Sequence, residues 1–369
     1  MPPHGTFFIA GGGTGGHLYP GLAIADALVR TRPGLDIMFI GAARGIERTV
    51  LPTTRWRHEL LDLHPLYRTA PWRNWKTVRG LGTAIARIRQ LTAEHPPLGV
   101  LGTGGYAAAA LLAYARVTGV RYFLQEQNAV AGLTVRLFSR GASATFLGFP
   151  EAVQTLPLAA RGRSRVTGNP IMPPPAIRPD RAEGRARWGF DPAVTRVLLI
   201  FGGSQGSRAL NDAVASWLPT GLPPEWGAIW ITGPGEYDRL AHYASRRVRV
   251  IGYQQPMAQA YDSVDLAVAR AGAMSTAELC AWEIPMVLVP LPTAAKDHQT
   301  HNAEALAAAG AARMVRQSDL DGGALIAALV EICASPSLLR SMGESAVARA
   351  RVDAAQDIAE QILTSLSLQ

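Results

Sequence analysis

Cysteine is scarce in this sequence of 369 residues, and the two copies present exclude several kinds of protein. Cys280 and Cys333 lie far apart in the chain and show no metal-ligand spacing. Neither a disulfide-stabilised fold nor a cysteine metal site is therefore expected, and a reducing compartment is predicted. We also expect no cofactor.

Long apolar runs are absent as well. The longest, Ala107 to Ala115, stops at Arg116, well short of a membrane span. No basic segment precedes the first apolar run, which is assigned to a strand below, so no secretory leader is expected. We predict a cytosolic chain, a location that is compatible with lying on a membrane surface.

Lysine is nearly missing, although the formal net charge is +8. Lys76 and Lys296 are the only lysines among the 36 basic residues. A nucleic-acid-binding protein usually concentrates such an excess on one element, so the total alone does not indicate one. We attribute the arginine bias to genome composition and expect no nucleic-acid partner.

Length and composition predict two globular domains. A chain of 369 residues can bury two cores of ordinary size. A hydrophobic content of 48% with 17% charged residues is typical of folded rather than disordered protein.

The N-terminal segment predicts the first unit of a parallel α/β sheet. An apolar run at Phe7–Ala10 leads into Gly11–His17 (GGGTGGH) and then into helix-type apolar spacing from Leu18 to Arg30. Glycines let backbone N–H groups converge, and the helix N-terminus adds partial positive charge. The loop therefore suits a phosphate-type anion.

The same glycines fit the dinucleotide-binding motif G-x-G-x-x-G through Gly11, Gly13 and Gly16. That motif requires an acidic residue at the end of the second strand to hold a ribose. The predicted second strand, Asp36–Ile40, ends without one, and Glu47 comes too late. A dinucleotide-dependent dehydrogenase is therefore disfavoured.

His17 is the unusual residue of this loop. A lone histidine at a helix start more often caps the helix or packs. Here the helix dipole disfavours the imidazolium ion and keeps a neutral ring that can accept a proton. Because such environments are associated with catalysis, His17 is a candidate functional residue.

Strands and helices alternate through the rest of the first half, which predicts a doubly wound sheet. Two polar loops, Gly102–Tyr106 and Gln125–Asn128, follow strands of this sheet. Since ligands bind at the carboxyl ends of such strands, we expect both loops to converge near His17. The further predicted strands are Glu59–Leu63, Leu98–Leu101, Arg121–Leu124, Ala144–Leu147 and Arg165–Thr167.

A Pro-rich segment separates two similar halves. After it, the apolar run Val197–Phe201 leads into Gly202–Ser207 and a helix, which repeats the layout of the opening unit. Two Rossmann-like domains with parallel sheets facing a deep cleft are therefore predicted. The predicted boundaries are 1–168 for the first domain, 169–179 for the linker, 180–345 for the second domain and 346–369 for a final helix.

Two loop-to-helix junctions in the second half are rich in polar groups. In Arg270–Glu278, Ser275 or Thr276 is predicted to cap the helix, and Glu278 falls about one turn into it. By itself, Glu278 is equally well explained as a capping-box or solvated acid. The second junction, around Asp297–His298, suits polar recognition better than metal binding, so no metal is expected.

Together these motifs resemble the MurG family, bacterial N-acetylglucosaminyl transferases that complete the lipid-linked peptidoglycan precursor. The resemblance spans nearly the whole chain. It rests on Gly11–Pro20 (GGGTGGHLYP), Gly102–Tyr106 (GTGGY), Glu126–Asn128 (EQN), Thr167–Pro170 (TGNP), Gly202–Gly206 (GGSQG), Arg270–Glu278 and Asp297–Ala303 (DHQTHNA).

The resemblance implies the α/β GT-B architecture, with a C-terminal helix that packs back on the first domain. The first domain would take the undecaprenyl-linked muramyl-pentapeptide acceptor, and the second would take UDP-N-acetylglucosamine. The transfer would be inverting: an acceptor hydroxyl displaces UDP in one step and forms a β-1,4 linkage. Such a reaction needs a base and stabilisation of the charge that develops on the pyrophosphate.

The resemblance also implies catalytic roles. His17 resembles the base of the family, and Glu126 is a second candidate that assists acceptor binding. The implied sugar and phosphate contacts are Thr14, Gly15, Gly16, Asn128 and Ser204.

In the donor site, the resemblance implies that Glu278 accepts the ribose hydroxyls, because one carboxylate takes two O–H donors. Gln299 would bind the sugar hydroxyls through its amide. The contact to uracil falls around Gln254. The implied lining of the nucleotide pocket is Ala273, Met274, Ser275, Thr276 and Ala277.

One departure from the family concerns the pyrophosphate. The family often has an arginine shortly after Gly-Asn-Pro, where this chain has Met172. Either Arg178 or another basic residue substitutes for it, or the loop relies on Ser204 and backbone donors.

A membrane-facing patch is predicted from four residues: Trp72, Arg73, Trp75 and Lys76. Tryptophan prefers the headgroup region, and each cation near an anionic leaflet contributes about 1 kcal/mol. We expect the apolar stripe of the following helix, which includes Leu81, Ile85 and Ile88, to pack on the sheet instead. Since the implied acceptor cannot leave its bilayer, we predict a peripheral protein on the cytoplasmic face of the cell membrane.

Three alternatives remain open: another lipid-directed glycosyltransferase of this fold, a nucleotide-sugar epimerase, and a non-catalytic nucleotide-sugar sensor. His17 together with two intact glycine loops argues against the sensor. The EQN and DHQ motifs favour the N-acetylglucosaminyl transferase over the other two.

Overall fold

Two parallel sheets organise the chain, one in each of the two units into which it divides. The computed structural model describes residues 5–63 and 74–368, with the helical backbone but not the side chains of 74–79. Unit 1 comprises Met1–Met172 and Arg351–Gln369, and unit 2 comprises Pro173–Ala350. The first boundary between the units, between Met172 and Pro173, lies inside the segment 169–179 that was predicted to be a linker.

The sheet of unit 1 has seven strands in the order β3-β2-β1-β4-β5-β6-β7. Its strands are β1 (Thr6–Gly11), β2 (Asp36–Ala42), β3 (Arg57–Leu61), β4 (Pro97–Gly104), β5 (Tyr122–Glu126), β6 (Ala144–Leu147) and β7 (Ser164–Val166). Its first helices are α1 (Gly15–Thr31), α2 (Glu47–Val50), α3 (Asn74–Glu94), α4 (Gly105–Thr118), α5 (Leu133–Phe138), α6 (Ala152–Thr155) and α7 (Leu158–Arg161).

Both faces of this sheet are covered, which is why its inner strands are mostly apolar, whereas the edge strands β3 and β7 are more polar and more exposed. Side chains alternate along β1: Phe8 and Ala10 belong to one core cluster, and Phe7 and Ile9 belong to another. The first cluster includes Leu111 of α4, among other residues of α3 and α4. The sheet is therefore the middle layer of three.

The sheet of unit 2 has six strands in the order β10-β9-β8-β11-β12-β13. Its strands are β8 (Arg196–Phe201), β9 (Trp226–Ile231), β10 (Val248–Ile251), β11 (Leu266–Ala269), β12 (Met286–Leu288) and β13 (Ala312–Met314). Its helices are α8 (Arg181–Arg187), α9 (Arg208–Trp217), α10 (Tyr237–Leu240), α11 (Ala258–Tyr261), α12 (Ala273–Ala281), α13 (His298–Ala308), α14 (Ala324–Ala334) and α15 (Pro336–Arg349).

The strand orders determine where a ligand binds. Both sheets follow the doubly wound order in which the direction of winding reverses beside the first strand of the unit. Ligands bind outside the carboxyl ends of the strands at that switch point. The loops after β1 and β4 in unit 1, and after β8 and β11 in unit 2, therefore form the candidate sites.

The chain returns to unit 1 through its last helix, α16 (Ala354–Ser365). Ile358 and Ile362 of this helix are fully buried in the core cluster that includes Ile24 and Leu28 of α1. The final helix is shorter than the predicted 346–369, because α15 continues to Arg349 within unit 2.

Elements outside the predicted pattern include the strand β13 and the helix α8. β13 has three residues, too few to show a period, and α8 has only Gly184 buried, so it lacks an apolar face. The start of α8 did have a local signal, since the carboxylate of Asp180 accepts the N–H of Ala182 at 2.9 Å.

The predicted membrane patch is only partly described. Trp72 and Arg73 lie outside the described residues, and Trp75 and Lys76 belong to the first turn of α3. The expected apolar stripe was partly wrong: Ile88 is buried, but Leu81 is 39% exposed. Positions 84, 88 and 91 face the core instead, which matches helical spacing.

Among the described residues, no single helix is both long and apolar enough to cross a membrane. One pair of segments, Ala324–Ala334 and Pro336–Ser365, passes that test jointly by length and composition but is bent by 100°. Both cysteines are buried, and burial raises the pKa of each thiol, Cys280 and Cys333, to about 12. At neutral pH these thiols are protonated and unreactive.

Candidate active site

The loop between β1 and α1 is held by a buried carboxylate beneath it. Glu47 is fully buried, and its Oε1 atom accepts the N–H of Gly13 at 2.9 Å and the N–H of Ala42 at 3.1 Å. Gly13 has φ +90°, a conformation that favours glycine. The N–H of Gly13 therefore serves this carboxylate and does not point at a ligand.

His17, in the first turn of α1, is half-buried and has a defined hydrogen-bonding geometry. Its Nδ1 atom lies 3.1 Å from the carbonyl oxygen of Thr103 and 3.0 Å from Oε1 of Gln127. Thr103 belongs to β4, and Gln127 follows β5. The structure thus brings together the three loops that the sequence analysis expected to converge around His17.

A close backbone approach completes this convergence. Gly105 has φ +76°, and a Cβ atom there would lie 2.2 Å from the carbonyl oxygen of Gly12. Only glycine fits, so the GTGGY motif supplies a contact between two loops. Around it, Thr14 and Gly16 are exposed and Gly15 is half-buried, so these predicted sugar and phosphate contacts are accessible.

The carboxylate of Glu126 is engaged with its own loop. It is 3% exposed, and its Oε1 atom accepts the backbone N–H of Asn128 at 3.0 Å and the amide of Asn128 at 3.1 Å. Its Oε2 atom accepts the N–H of Gly132 at 2.7 Å. Glu126 therefore shapes the loop that carries Asn128.

In unit 2, the loop after β8 carries Ser204, which is exposed. The loop ends at Ser207, whose hydroxyl accepts the N–H of Leu210 and so caps α9. Arg270, which follows β11 and is 8% exposed, donates to Ser207 Oγ at 2.7 Å. It also donates to the carbonyl oxygens of Val289 and Pro290 and to Oε1 of Gln317.

Arg270 thus links four strand-end segments of unit 2, and burial lowers the pKa of its guanidinium. The partners named above are all neutral, so its positive charge is not cancelled by an ion pair with them. Arg178, the substitute considered from the sequence, instead pairs with Glu283 at 3.1 Å. Met172 is 80% exposed.

The helix α12 begins earlier than the sequence analysis predicted. Its N-cap is Gly272, so Ser275 and Thr276 are inside the helix and the prediction that one of them caps it was wrong. The hydroxyl of Thr276 instead donates back to the carbonyl oxygens of Gly272 and Ala273. Met274, Ser275 and Ala277 are half-buried, whereas Ala273 and Thr276 are buried.

Glu278 of α12 is paired with a buried phenol. Tyr261 is 3% exposed, and its hydroxyl donates to Glu278 Oε2 at 2.8 Å. Burial raises the pKa of Glu278, and the hydrogen bond from Tyr261 lowers it. Burial and the neighbouring carboxylate raise the pKa of Tyr261 well above its usual value, so the phenol remains a donor.

The orientation of Gln299, at the start of α13, is set by the backbone. Its Oε1 atom accepts the N–H of Leu291 at 3.0 Å, so the amide presents its NH₂ group as a donor. Gln254, in the loop after β10, donates to the carbonyl oxygen of Pro256 and to Oε1 of Gln259, both at 3.0 Å. Within residues 5–63 and 74–368, no three His, Cys, Asp or Glu side chains form a group able to hold a metal.

Comparison with known proteins identifies the family. The N-terminal domain model of glycosyltransferase family 28 matches residues 7–147, and the C-terminal domain model matches residues 197–362. The UDP-N-acetylglucosamine–N-acetylmuramyl-(pentapeptide) pyrophosphoryl-undecaprenol N-acetylglucosamine transferase of Chlorobaculum tepidum is 38% identical over 360 residues, covering 96% of this chain and 97% of the relative. This chain belongs to the MurG family.

Two further MurG-family proteins extend the match. A relative of the same name from Salinibacter ruber is 38% identical over 365 residues, covering 98% of this chain and 96% of its own. The crystal structure of MurG from Acinetobacter baumannii has a TM-score of 0.77 and 27% identity, covering 98% of this chain and 100% of that one. The predicted GT-B fold with two Rossmann-like domains is confirmed.

Several organising residues were missed by sequence reasoning. Gln127 lay within the quoted EQN motif, and Arg270 opened another, but neither was given a role. Glu47 was dismissed because it lies too far along the chain to bind a ribose. Tyr261 had no local signal, because its contact with Glu278 is made across the fold.

The pair Tyr261–Glu278 yields a titration prediction. In the variant Tyr261→Phe, we expect the pKa of Glu278 to rise further, because the hydrogen bond that lowers it is lost while the burial that raises it remains. The pKa is measured by ¹³C NMR of labelled glutamate, with Glu278→Gln used for assignment. The control Tyr253→Phe removes the exposed hydroxyl that donates to Gln255 and leaves the pKa of Glu278 unchanged. A lowered or unchanged pKa in Tyr261→Phe contradicts the assignment.

Proposed function

We propose that this protein transfers N-acetylglucosamine from UDP-N-acetylglucosamine to the muramyl sugar of an undecaprenyl-pyrophosphoryl-muramyl-pentapeptide. The observation that carries the proposal is the full-length match, at 38% identity, to transferases named for that reaction. The polar groups of the described loops supply the chemistry that this transfer needs.

The proposed reaction is a direct displacement. A hydroxyl oxygen of the muramyl sugar forms a bond to the anomeric carbon of N-acetylglucosamine, and the bond from that carbon to the UDP oxygen breaks. The hydroxyl proton moves to a base, and the electron pair of the broken bond stays on UDP. Inversion of configuration follows from a single attack opposite the leaving group.

His17 is the better candidate for the base. Its Nδ1 atom faces two acceptors, so the neutral ring carries its proton there and Nε2 keeps the lone pair that accepts a proton. Glu126 already accepts three N–H donors from Asn128 and Gly132, and removing a proton from substrate would compete with them. We therefore assign Glu126 to holding Asn128, which is proposed to contact the sugar.

The donor site is proposed to lie at the strand ends of unit 2. Glu278 would accept the ribose hydroxyls, since its Oε1 atom and the remaining lone pair of Oε2 can still accept hydrogen bonds. Ser204, Gln254 and the first turn of α12 would hold the phosphates and uracil. Arg270, which donates to Ser207, would add positive charge near the pyrophosphate. The family often has an arginine for this purpose at the position of Met172.

The first prediction from the proposed function tests His17. We expect His17→Ala to lower kcat by roughly two to four orders of magnitude while leaving the affinity for UDP nearly unchanged, because a general base acts in the chemical step. Turnover is measured with a short-chain lipid-linked acceptor, and UDP binding by calorimetry. His58→Ala, which removes a histidine bound to the backbone of Trp56 in the same unit, is the control and retains activity. An active His17→Ala enzyme would contradict the role.

The second prediction concerns donor choice. The NH₂ group of Gln299 is proposed to donate to a sugar hydroxyl whose configuration distinguishes N-acetylglucosamine from N-acetylgalactosamine. A site built around such a bond strongly rejects a mismatched donor. UDP-N-acetylgalactosamine is therefore expected to be a poor donor, and Gln299→Ala is expected to narrow the difference in kcat/KM. Gln356→Ala, which removes a half-buried amide that donates to Thr31 and Glu360 in unit 1, is the control. Equal turnover of both donors by the unmodified protein would refute the assignment.

We further propose that the protein binds the cytoplasmic face of the membrane through Trp72, Arg73, Trp75 and Lys76. Aromatic and cationic side chains without an intervening acid support this, as does an acceptor that carries an undecaprenyl chain.

The third prediction tests this surface. Flotation with anionic vesicles is expected to be salt-sensitive and to weaken in Trp72→Ala with Arg73→Ala, while turnover of a water-soluble acceptor is retained. Tyr253→Ala with Arg246→Ala removes one exposed aromatic residue and one exposed cation from unit 2 and leaves flotation unchanged. Undiminished flotation of the Trp72, Arg73 double variant would rule out the patch.

A further inference from the structure

We propose that Gln127 is a positioning residue that keeps His17 in the tautomer with the proton on Nδ1. This inference rests on the proposed function for its catalytic consequence, because only then does the lone pair on Nε2 matter. The hydrogen-bonding arrangement itself is independent of the substrate.

The orientation of the Gln127 amide follows from its neighbours. Its Nε2 atom lies 2.7 Å from the carbonyl oxygen of Thr103 and also contacts Oε1 of Gln125. Both of these atoms are acceptors, so the NH₂ group of Gln127 must point at them. Its Oε1 atom is thereby turned toward His17.

The protonation of His17 follows in turn. At 3.0 Å from Gln127 Oε1 and 3.1 Å from the carbonyl oxygen of Thr103, Nδ1 faces oxygen acceptors only. If Nδ1 were unprotonated, its lone pair would be repelled by the lone pairs of both oxygens. The proton must therefore lie on Nδ1. The carbonyl oxygen of Thr103 is shared with Gln127, which leaves Gln127 Oε1 as the acceptor dedicated to the ring.

Gln127 is itself held rigidly in the core of unit 1. It is 2% exposed, and its backbone carbonyl accepts the amide of Asn169 at 2.9 Å. Gln125, fully buried, donates to Oδ1 of Asn169 at 3.2 Å. A chain of hydrogen-bonded amides therefore begins at Asn169 in the Gly-Asn-Pro segment. It passes through Gln125 and Gln127 and ends at His17.

The orienting group is neutral, unlike the carboxylate of a serine-protease triad. The nearby carboxylate of Glu126 is turned the other way, toward Asn128 and Gly132. A neutral amide selects the tautomer without adding a charge that would stabilise the imidazolium ion before the reaction. In the serine-protease triad the wrong tautomer costs about four orders of magnitude in kcat, so such selection has large consequences.

The test reads the tautomer directly by ¹⁵N NMR of histidine side chains at a pH where the ring is neutral, without substrate. His17→Ala identifies the signals of His17. The unmodified protein is expected to show Nδ1–H alone. Gln127→Leu and Gln127→Met remove the acceptor at similar volume and are expected to show a substantial fraction of Nε2–H. Gln127→Glu retains an acceptor and is expected to restore Nδ1–H. Two apolar variants are made because the measurement needs only one of them to fold.

The control is Asn211→Leu, which removes an equally buried amide from unit 2, where it binds Thr232 and Trp230. It is expected to lower stability without changing the His17 signals. Unchanged Nδ1–H in the apolar Gln127 variants would overturn the inference and assign the role to the carbonyl of Thr103.

Activity provides the second measurement. With the tautomer mixed, kcat is expected to fall roughly 10- to 100-fold in Gln127→Leu, with KM for the donor little changed. Loss of the tautomer preference in a protein that never transfers N-acetylglucosamine would refute the proposed function but not the positioning role. Full kcat in Gln127→Leu, in an enzyme that does transfer the sugar, would refute the positioning role alone.

Discussion

Backbone N–H groups at the carboxyl ends of parallel strands need acceptors, and in this protein buried side chains supply them. Glu47 satisfies the end of β2 and the first glycine loop together, and Glu126 satisfies the loop after β5. In unit 2 the carbonyl groups after β12 need donors instead, and Arg270 supplies them. Because an unsatisfied buried polar group costs roughly 1–3 kcal/mol, these side chains decide which loop conformations are available.

Side chains that hold the loops in place therefore differ from side chains that are proposed to act on the substrate. Glu126 and Glu47 have their oxygens turned inward, whereas His17 has one nitrogen tied to the interior and the other available for a proton. The same contrast distinguishes Arg178, which is paired with Glu283, from Arg270, whose charge has neutral partners. Residue type alone does not reveal this difference, since each comparison is between side chains that can both carry charge.

Much of the fold was predictable because its signals are local. Apolar runs such as Phe7–Ala10 and Val197–Phe201, followed by glycine turns, predicted the parallel strands and the positions of the loops. The short strand β13 and the polar helix α8 lacked such periodicity. In the site, His17 and Glu278 could be named from motifs, but the partners Gln127 and Tyr261 could not. Their contacts join residues 110 and 17 positions apart, and only the folded chain shows them.

The central claim is a single inverting transfer, and analysis of the product tests it most directly. The protein is incubated with UDP-N-acetylglucosamine and a short-chain lipid-linked muramyl acceptor, and the product is examined by mass spectrometry and NMR. The account predicts one β-1,4-linked disaccharide on the lipid for each UDP released. Release of UDP without a new glycosidic bond, an α-linked product, or conversion of the donor to another UDP-sugar would contradict it.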